Sequence, residues 1–359
     1  MTSGSGDGLR VVVVGATGNV GTAVVEALGE EPEVASILGI ARRVPQWSPA
    51  KTRWAGVDIS QACEEELAGH FNGADAVLHL AWLFQPTHEP VITWRTNVLG
   101  SMRVFDAAVA AGVPALVYAS SVGAYSPGPK DRLVDEGWTT HGWPDAAYCR
   151  EKAYLERVLD SVERDHTDVR VVRMRPGFIF QHGSAPQQRR LFAGPLVPDA
   201  LVRPSTVPAV PDIPGLRFQA LHAHDAAEAY RLAVVRPVRG AFNLAAEPVV
   251  DSGLLAELLR ARRVPFAAGP VRRALAAAWR LHLVPASPHL FEAVLHLPLM
   301  DTRRAREELG WSPRYSSREA LGEFLAGLRE RTGLPTPPLA PRLAKGRAGE
   351  VMTGVGQRP

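Results

Sequence analysis

Short apolar runs alternate with helical stretches through the first half of the chain. The runs at 9–14, 36–41, 74–80, 115–119 and 169–174 predict β-strands. Helices are predicted between them, at 19–28, 64–69, 91–111 and 146–165. Because short buried strands separated by helices pair in parallel, this alternation predicts a doubly wound parallel α/β sheet. Ligands bind such a sheet at the carboxyl ends of its strands.

The pattern changes after Pro176. Residues 181–217 contain many prolines and little periodicity, which predicts a smaller, loop-rich C-terminal substrate lobe. Residues 271–299 have a helical pattern that Pro285 and Pro288 interrupt, and their Arg and His residues argue against a membrane span. A helix is predicted again at 317–331, followed by a tail whose Pro, Gly and basic composition predicts disorder.

The composition is typical of a globular protein with a large core. The chain has 359 residues, and 46% of them are apolar. Its formal charge of +3 arises in the tail 342–359, so no basic surface for nucleic acid is predicted. Two cysteines, no signal-peptide pattern and no apolar stretch of about 18 residues predict a cytoplasmic protein without a membrane span. No Cys/His cluster has metal-site spacing, so no metal is expected.

A glycine motif follows the first predicted strand. The string GATGNVG spans 15–21 and opens the predicted helix at 19. Its glycines let main-chain amides approach a pyrophosphate, and the helix N-terminus adds unpaired N–H groups and the positive end of a dipole. The spacing GxxGxxG departs from GxGxxG, and a plain tight turn is the alternative. In this position the motif predicts a Rossmann-type dinucleotide site that uses Gly15, Thr17, Gly18, Asn19, Val20 and Gly21.

Tyr148 and Lys152 lie four residues apart on the helix predicted at 146–165. Residues at this spacing project from the same helix face, so both head groups can serve one pocket. A phenol titrates near pH 10, and a neighbouring ammonium that favours its anion makes it a better acid-base catalyst at neutral pH. A tyrosine packed under a snorkelling lysine is the alternative for the pair alone.

Strings along nearly the whole chain resemble the extended short-chain dehydrogenases/reductases of the NAD-dependent epimerase/dehydratase type. They occur in family order as GATGNVG (15–21), VDIS (57–60), AVLHLAW (76–82), TNVLGS (96–101), LVYASSVGAY (116–125), YCREK (148–152), RPGFIF (175–180), LHAHDAAEAY (221–230) and LGWSPRYS (309–316). The resemblance implies a dinucleotide-binding domain of 9–176 completed by 218–248, and a substrate lobe of 177–217 and 249–332. The ends, 1–8 and 333–359, are expected to be disordered. A homodimer through helices 91–111 and 146–165 fits this family.

The resemblance also implies roles for individual residues. Tyr148 is the acid-base group, and Lys152 lowers its pKa and holds the nicotinamide ribose. Ser121 hydrogen-bonds the substrate oxygen, with Ser120 as the second choice, and Asn97 matches the asparagine that the family carries on a helix. Cofactor contacts are implied for Asp58, Ile59, Leu80, Ala81 and Pro176.

Several of these residues have ordinary structural alternatives. Asn97 could be a plain helix residue, and Asp58 could cap the helix that follows it. His79 is equally well explained as a hydrogen-bonded histidine at a strand end. Asp225 is expected to have a structural role at the start of a helix. Aromatic residues that could line an apolar pocket, or simply pack in the core, are Trp82, Phe84, Trp138, Trp143, Phe178 and Phe180.

The end of the second predicted strand bears on the choice of cofactor. An NAD site usually has Asp or Glu there for the ribose hydroxyls, whereas an NADP site has Arg for the additional phosphate. Residues 39–44 read GIARRV, with no carboxylate. NADP(H) is therefore favoured over NAD(H), with Arg42 and Arg43 as contacts. A pair of solvated arginines is the alternative.

Two departures from the family's patterns bear on the reaction. Sugar dehydratases of this family resemble one another in an Asp-Glu pair after the active hydroxyl, but Val122 and Gly123 follow Ser121 here. Epimerases commonly carry an arginine where this chain has Phe218, and Arg217 is one residue early, on the other strand face. These departures favour an NADPH-linked carbonyl or alcohol oxidoreductase with a small, partly apolar substrate. A nucleotide-sugar epimerase and a non-catalytic dinucleotide sensor are the alternatives.

Overall fold

The computed structural model of the chain describes residues 8–194, 206–341 and Val355. Its strands are β1 (Leu9–Val14), β2 (Val34–Ala41), β3 (Thr52–Gly56), β4 (Ala76–His79), β5 (Ala115–Ala119), β6 (Leu133–Val134), β7 (Arg170–Pro176), β8 (Phe178–Phe180), β9 (Ala209–Asp212), β10 (Ala220–His222), β11 (Gly240–Leu244), β12 (Arg262–Pro265) and β13 (Leu299–Met300). Its α-helices are α1 (Asn19–Glu30), α2 (Glu64–Phe71), α3 (Pro90–Trp94), α4 (Gly100–Ala110), α5 (Ala147–Asp165), α6 (Ala185–Gln188), α7 (Ala223–Val235), α8 (Ser252–Leu259), α9 (Ala268–Arg280), α10 (Pro288–His296), α11 (Arg303–Glu307) and α12 (Ser317–Glu330).

Seven strands form one parallel sheet in the order β11-β7-β5-β4-β1-β2-β3. The strand order reverses between β1 and β4, so their carboxyl ends leave a crevice at which a ligand can bind. This arrangement confirms the predicted Rossmann-type doubly wound sheet. The short strands β6, β8, β9, β10, β12 and β13 pair in twos outside it.

Successive residues of β1 pack into opposite hydrophobic layers. Val11 and Val13 join the layer that contains residues of α1 and α7. Val12 and Val14 join the layer with residues of α2, α4 and α5. Because neighbouring side chains of a strand point to opposite faces, a run of four valines fits only a strand covered on both sides. This double burial holds the end of β1, and the glycine motif after it, in a rigid position.

One sheet strand in the first half of the chain was not predicted, and one predicted helix differs in the structure. Strand β3 was not predicted, because it is the edge strand of the sheet and only partly buried, and its residues lack a continuous apolar run. The helix predicted at 91–111 consists of α3, a π-helical turn at Arg95–Leu99, and α4. The turn buries the side chains of Thr96, Asn97 and Val98, and π-turns inside helices often mark functional positions.

The prediction that the tail is disordered from 333 onward is wrong for residues 333–341. Leu339 is fully buried, and the Thr336 hydroxyl donates a 2.9 Å hydrogen bond to the carbonyl of Thr17 in the glycine motif. Residues 333–341 therefore form a C-terminal strap over that motif. The rest of the predicted tail, apart from Val355, and residues 1–7 lie outside the described residues. In the described part of the chain, every helix is too short or too polar to cross a bilayer.

Candidate active site and dinucleotide cavity

A cavity of about 720 Å³ opens at the carboxyl ends of the sheet strands. Ser121 lines it, and so does every residue predicted to contact the cofactor, namely Gly15, Thr17, Gly18, Asn19, Val20, Gly21, Arg42, Arg43, Asp58, Ile59, Leu80, Ala81, Tyr148, Lys152 and Pro176. Asn97 is not among the lining residues. Sequence motifs from Gly15 to Pro176 thus meet at one site.

The three glycines of the motif meet different steric demands. Gly15 has φ of +90°, and a Cβ added there would lie 2.5 Å from the main-chain nitrogen of Ala81. A Cβ on Gly21 would collide with the carbonyl oxygen of Gly15. Gly18 is different, since its nearest neighbour would be that same oxygen at 3.6 Å. Gly15 and Gly21 therefore allow β1, α1 and the strand-end at Ala81 to approach closely, and Gly18 leaves free space.

This cradle fits the pyrophosphate of a dinucleotide. Gly18 caps α1, and the first N–H groups of a helix have no partner within it. These groups and the positive end of the helix dipole stabilise an anion in the space that Gly18 leaves. The alternative of a plain tight turn does not explain why the turn opens into a large cavity.

The part of the cavity lining that follows β2 and β3 has groups suited to the adenosine part of a dinucleotide. Arg42 and Arg43 follow β2 and are exposed. Asp58 also lines the cavity, and its carboxylate accepts hydrogen bonds from the main-chain N–H and the hydroxyl of Ser60, at 3.0 and 2.7 Å. Asp58 therefore orders the loop that presents Ile59 while it faces the cavity. Asp58 does not cap the following helix α2, because the N-cap of that helix is Cys63. Its contact with a cofactor stays a prediction.

The adjacent hydroxyls of Ser120 and Ser121 have different partners. Ser120 donates a 2.6 Å hydrogen bond to the buried carboxylate of Glu156. The oxygen of Ser121 accepts the N–H of Gly123 at 3.0 Å, and its hydrogen bond to Tyr148 lowers the pKa of that phenol. Ser121 is thus the hydroxyl beside Tyr148, and Ser120 is engaged on the buried side of the strand end.

Tyr148 lies among aromatic rings. Its ring stacks on Phe84 at 5.3 Å with an interplanar angle of 12°, and Trp82 meets it edge-on at 5.6 Å. Burial raises the pKa of Tyr148 above its ordinary value of 10, against the smaller opposing effect of Ser121. In these surroundings the phenol keeps its proton at neutral pH.

Lys152 is buried and has defined partners. Its ammonium donates a 2.5 Å hydrogen bond to the carbonyl of Ala119 and lies 3.5 Å from the centre of the Trp82 ring, a cation–π contact. Burial lowers the pKa of Lys152, and the carboxylates of Glu151 and Glu156 act in the opposite direction. The expectation that Lys152 lowers the pKa of Tyr148 stays a prediction, because the effect that opposes burial at Tyr148 comes from Ser121.

Asn97 acts behind the cavity wall. Its amide nitrogen donates to Glu151 at 2.7 Å and to the carbonyl of Leu83 at 2.9 Å, and its amide oxygen accepts the Leu83 N–H at 2.7 Å. Glu151 is buried and also accepts a hydrogen bond from Thr93. Asn97 therefore ties α5 to the loop that carries Trp82, next to Lys152. It is neither a plain helix residue nor a group that lines the cavity.

Two further residues have structural positions. His79 is buried in β4, where its Nε2 lies 2.7 Å from the hydroxyl of Ser101, and burial lowers its pKa to about 3. Asp225 accepts the main-chain N–H groups of Arg314 and Tyr315 at 2.9 and 3.0 Å. The structural alternative thus holds for His79, and the expected structural role of Asp225 at the start of α7 is confirmed.

A buried ion cluster below the serines was not predicted from the sequence. Glu156 is fully buried and forms two 2.9 Å hydrogen bonds with Arg175 and a 3.1 Å ion pair with Arg173. These partners lower the pKa of Glu156 to about 2 despite its burial. The available signal was that Arg173 and Arg175 alternate with apolar residues in the interior of β7, because buried cations require a carboxylate.

The aromatic predictions divide into two groups. Trp82, Phe84, Phe178 and Phe180 line the cavity, whereas Trp138 and Trp143 pack elsewhere. Sequence reasoning missed a second set that lines the cavity from the predicted substrate lobe, consisting of Leu191, Phe192, Leu290, Val294 and Leu297. Leu191 and Phe192 lie in a five-residue π-helical turn, and Leu290 and Val294 lie in the nine-residue helix α10. Both elements are too short for periodicity to indicate which side chains face a pocket.

The model of the NAD dependent epimerase/dehydratase family matches residues 11–245. The chain belongs to this family. The matched region runs from β1 to β11 and therefore includes the sheet and the glycine motif. It also includes Ser121, Tyr148 and Lys152.

The chain also resembles individual proteins of this kind in sequence. It is 26% identical over 272 residues to "Uncharacterized protein Rv0501" of Mycobacterium tuberculosis. That alignment covers 73% of this chain and 66% of the mycobacterial protein. It is 33% identical over 183 residues to L-arabinose 1-dehydrogenase (NAD(P)(+)) of Haloferax volcanii, covering 47% of this chain and 67% of that protein. The match to the mycobacterial protein thus spans slightly less than two thirds of that relative's length.

Solved structures share the fold of this epimerase/dehydratase-family protein. A UDP-glucose 4-epimerase with UDP-glucose from Thermotoga maritima superposes with a TM-score of 0.65 at 18% identity, covering 90% of this chain and 99% of that one. The structure of MoeE5 in complex with UDP-glucuronic acid and NAD gives a TM-score of 0.65 at 21% identity, with 89% and 99% coverage. At these identities the likeness shows the fold.

Proposed function

We propose that the protein is an NADP(H)-dependent oxidoreductase that transfers hydride between the dinucleotide and a carbonyl or alcohol carbon of a small substrate. The observation that carries this proposal is that Ser121, Tyr148 and Lys152 line the same cavity as the glycine cradle. The residues that would hold the dinucleotide are the glycine motif, Arg42, Arg43, Asp58 and Ile59.

The protein's own residues handle the substrate oxygen. The bound dinucleotide supplies or accepts the hydride. Ser121 and Tyr148 both donate to a carbonyl oxygen placed between them. As the carbonyl carbon receives the hydride, its oxygen takes the Tyr148 proton, so the products are an alcohol and the oxidised dinucleotide. The protonated state that burial favours at Tyr148 suits this reductive direction. Lys152 holds the nicotinamide ribose, as the family resemblance implies.

Tyr148→Phe tests the proton route. We expect kcat for carbonyl reduction to fall by about 10²–10⁴-fold, since a positioned acid is worth that much, while NADPH binding is retained. Tyr154→Phe is the matched control, because Tyr154 lies on the same helix but is 42% exposed and outside the cavity. Persistent activity in Tyr148→Phe would show that another group protonates the substrate.

Arg42 and Arg43 support the choice of NADP(H). A charge-assisted hydrogen bond is worth about 1.5–3 kcal/mol, or roughly 10–100-fold in affinity, so replacing both arginines by alanine is expected to weaken NADPH binding by at least that factor. NADH binding should change little, and Arg53→Ala, on the edge strand β3 outside the cavity, should change neither affinity. Fluorescence titration measures the affinities of both variants for NADPH and for NADH. Equal wild-type affinity for NADPH and NADH would remove the arginine argument.

A nucleotide-sugar epimerase is the second candidate. The solved structures of similar fold include a UDP-glucose 4-epimerase, and epimerisation uses the same proton and hydride transfers without net change in the dinucleotide. Incubation with ketones, aldehydes and UDP-sugars separates the two, because only a reductase consumes NADPH. Dinucleotide binding without turnover of any of these compounds would favour the third candidate, a dinucleotide sensor.

A further inference from the structure

The part of the cavity beyond Tyr148 has an apolar wall. Phe84, which stacks on Tyr148, meets Phe192 edge-on with 5.7 Å between ring centres. Aliphatic side chains complete this wall, chiefly Leu191, Leu290, Val294 and Leu297. Phe192 is 37% exposed, so it lies where the apolar region meets solvent. A ligand that fills this region removes hydrocarbon and ring surface from water.

The cations of the cavity lie elsewhere or are already engaged. Among the described residues that line it, the cationic side chains are Arg42, Arg43, Lys152 and Arg190. The first two follow β2 at the adenosine end, and Lys152 is bound to the carbonyl of Ala119. Arg190 donates to the carbonyls of Pro338 and Ala340 in the C-terminal strap, at 2.7 and 3.1 Å.

Two further cations near the lobe hold main-chain carbonyls. The ammonium of Lys130 donates to the carbonyls of Arg217 and Val294 at 2.6 and 2.9 Å. In return, the guanidinium of Arg217 donates to the carbonyl of Lys130. Arg217 borders a separate small crevice with Phe218 and does not line the main cavity. The pair therefore acts as a brace between two loops. Among residues 8–194 and 206–341, no cationic side chain at this wall is left to meet a substrate diphosphate.

We infer that the substrate is an apolar ketone, aldehyde or secondary alcohol that carries an aromatic or branched hydrocarbon group and no phosphate. The inference rests on the proposed function and names its substrate class. The hydrocarbon group binds the Phe84 and Phe192 wall, and the one polar group meets Ser121 and Tyr148. A phosphate at the same wall would lose its water without gaining a cationic partner among the described residues, so it would bind more weakly than a hydrocarbon group.

Binding and turnover are measured separately with two probes. Calorimetry with the NADP⁺-loaded protein compares 4-phenyl-2-butanol, an apolar alcohol, with UDP-glucose. NADPH consumption is followed with the corresponding ketone, 4-phenyl-2-butanone. We expect the phenyl compounds to bind and UDP-glucose to bind at least tenfold more weakly.

Phe192→Ala locates the binding surface. Removing a partly buried ring is expected to raise the Kd of the alcohol and the KM of the ketone about tenfold, with the Kd of NADPH unchanged. Phe266→Ala is the matched control, since Phe266 is 50% exposed and outside the cavity. Tighter binding of UDP-glucose, or equal effects of the two substitutions, would overturn the inferred substrate class. Binding of the phenyl alcohol without NADPH consumption by any carbonyl compound would refute the proposed reaction and leave the apolar binding site established.

Discussion

Replacing Glu156 by Gln should strongly destabilise the protein. The carboxylate is fully buried between Arg173 and Arg175, which lower its pKa from an ordinary 4.5 to about 2. The gap between these pKa values corresponds to roughly 3 kcal/mol of folding free energy. Mutational data give a similar cost, about 3–5 kcal/mol, for a buried charge that loses its partner. Urea unfolding at pH 7 should therefore show a loss of about 3 kcal/mol or more.

The pH dependence gives the sign of the effect. Since the folded pKa is depressed, the stabilisation by Glu156 is fully present above pH 4.5 and is lost as pH falls toward 2. The stability difference between the wild type and Glu156→Gln should shrink through that window. Asp160→Asn is the control, because Asp160 also contacts Arg173 but is about half exposed, so its loss should cost under about 1 kcal/mol. Equal losses for the two variants at pH 7 would refute the reasoning.

Two other predictions concern the serine pair and the glycine motif. Ser121→Ala should lower kcat about 10²-fold and cost about 1 kcal/mol of stability through the lost hydrogen bond with Gly123. Ser120→Ala should lower the melting temperature and leave kcat within a few-fold, and reversed effects on kcat would exchange their roles. Gly21→Ala should abolish dinucleotide binding, measured by fluorescence titration, because the added Cβ collides with main-chain atoms. Gly322→Ala is the control, since no atom lies within 4 Å of its added Cβ. This variant should bind the dinucleotide normally and be about 0.5–1 kcal/mol more stable.

The sequence was sufficient for the parts of the molecule in which local pattern and tertiary environment agree. The run Val11 to Val14 is buried on both faces, so composition alone marks it as a central parallel strand. The glycine motif is recognisable for the same reason, since Gly15 and Gly21 are required by main-chain contacts. Strand β3 was missed because an edge strand needs little apolar surface.

Side-chain partners were beyond the reach of sequence patterns. Ser120 and Ser121 are chemically identical neighbours, and only the position of Glu156 distinguishes them. Asn97 was expected from family resemblance near the chemistry, but its amide spans Glu151 and Leu83 behind the wall. Phe192 was missed because its π-helical turn, Arg189–Ala193, is too short to show a periodicity from which its orientation could be predicted. In each case the deciding contact joins residues distant in sequence.

The strap at 333–341 has a consequence for biosynthesis. The hydrogen bond from Thr336 to Thr17 joins residues 319 positions apart. A nascent chain emerges N-terminus first, so the glycine turn leaves the ribosome long before the segment that covers it. The glycine turn is therefore made early, and its cover is among the last parts of the described chain to be made. A ribosome-stalled chain ending near residue 300 should contain all seven sheet strands and still have an uncovered glycine turn.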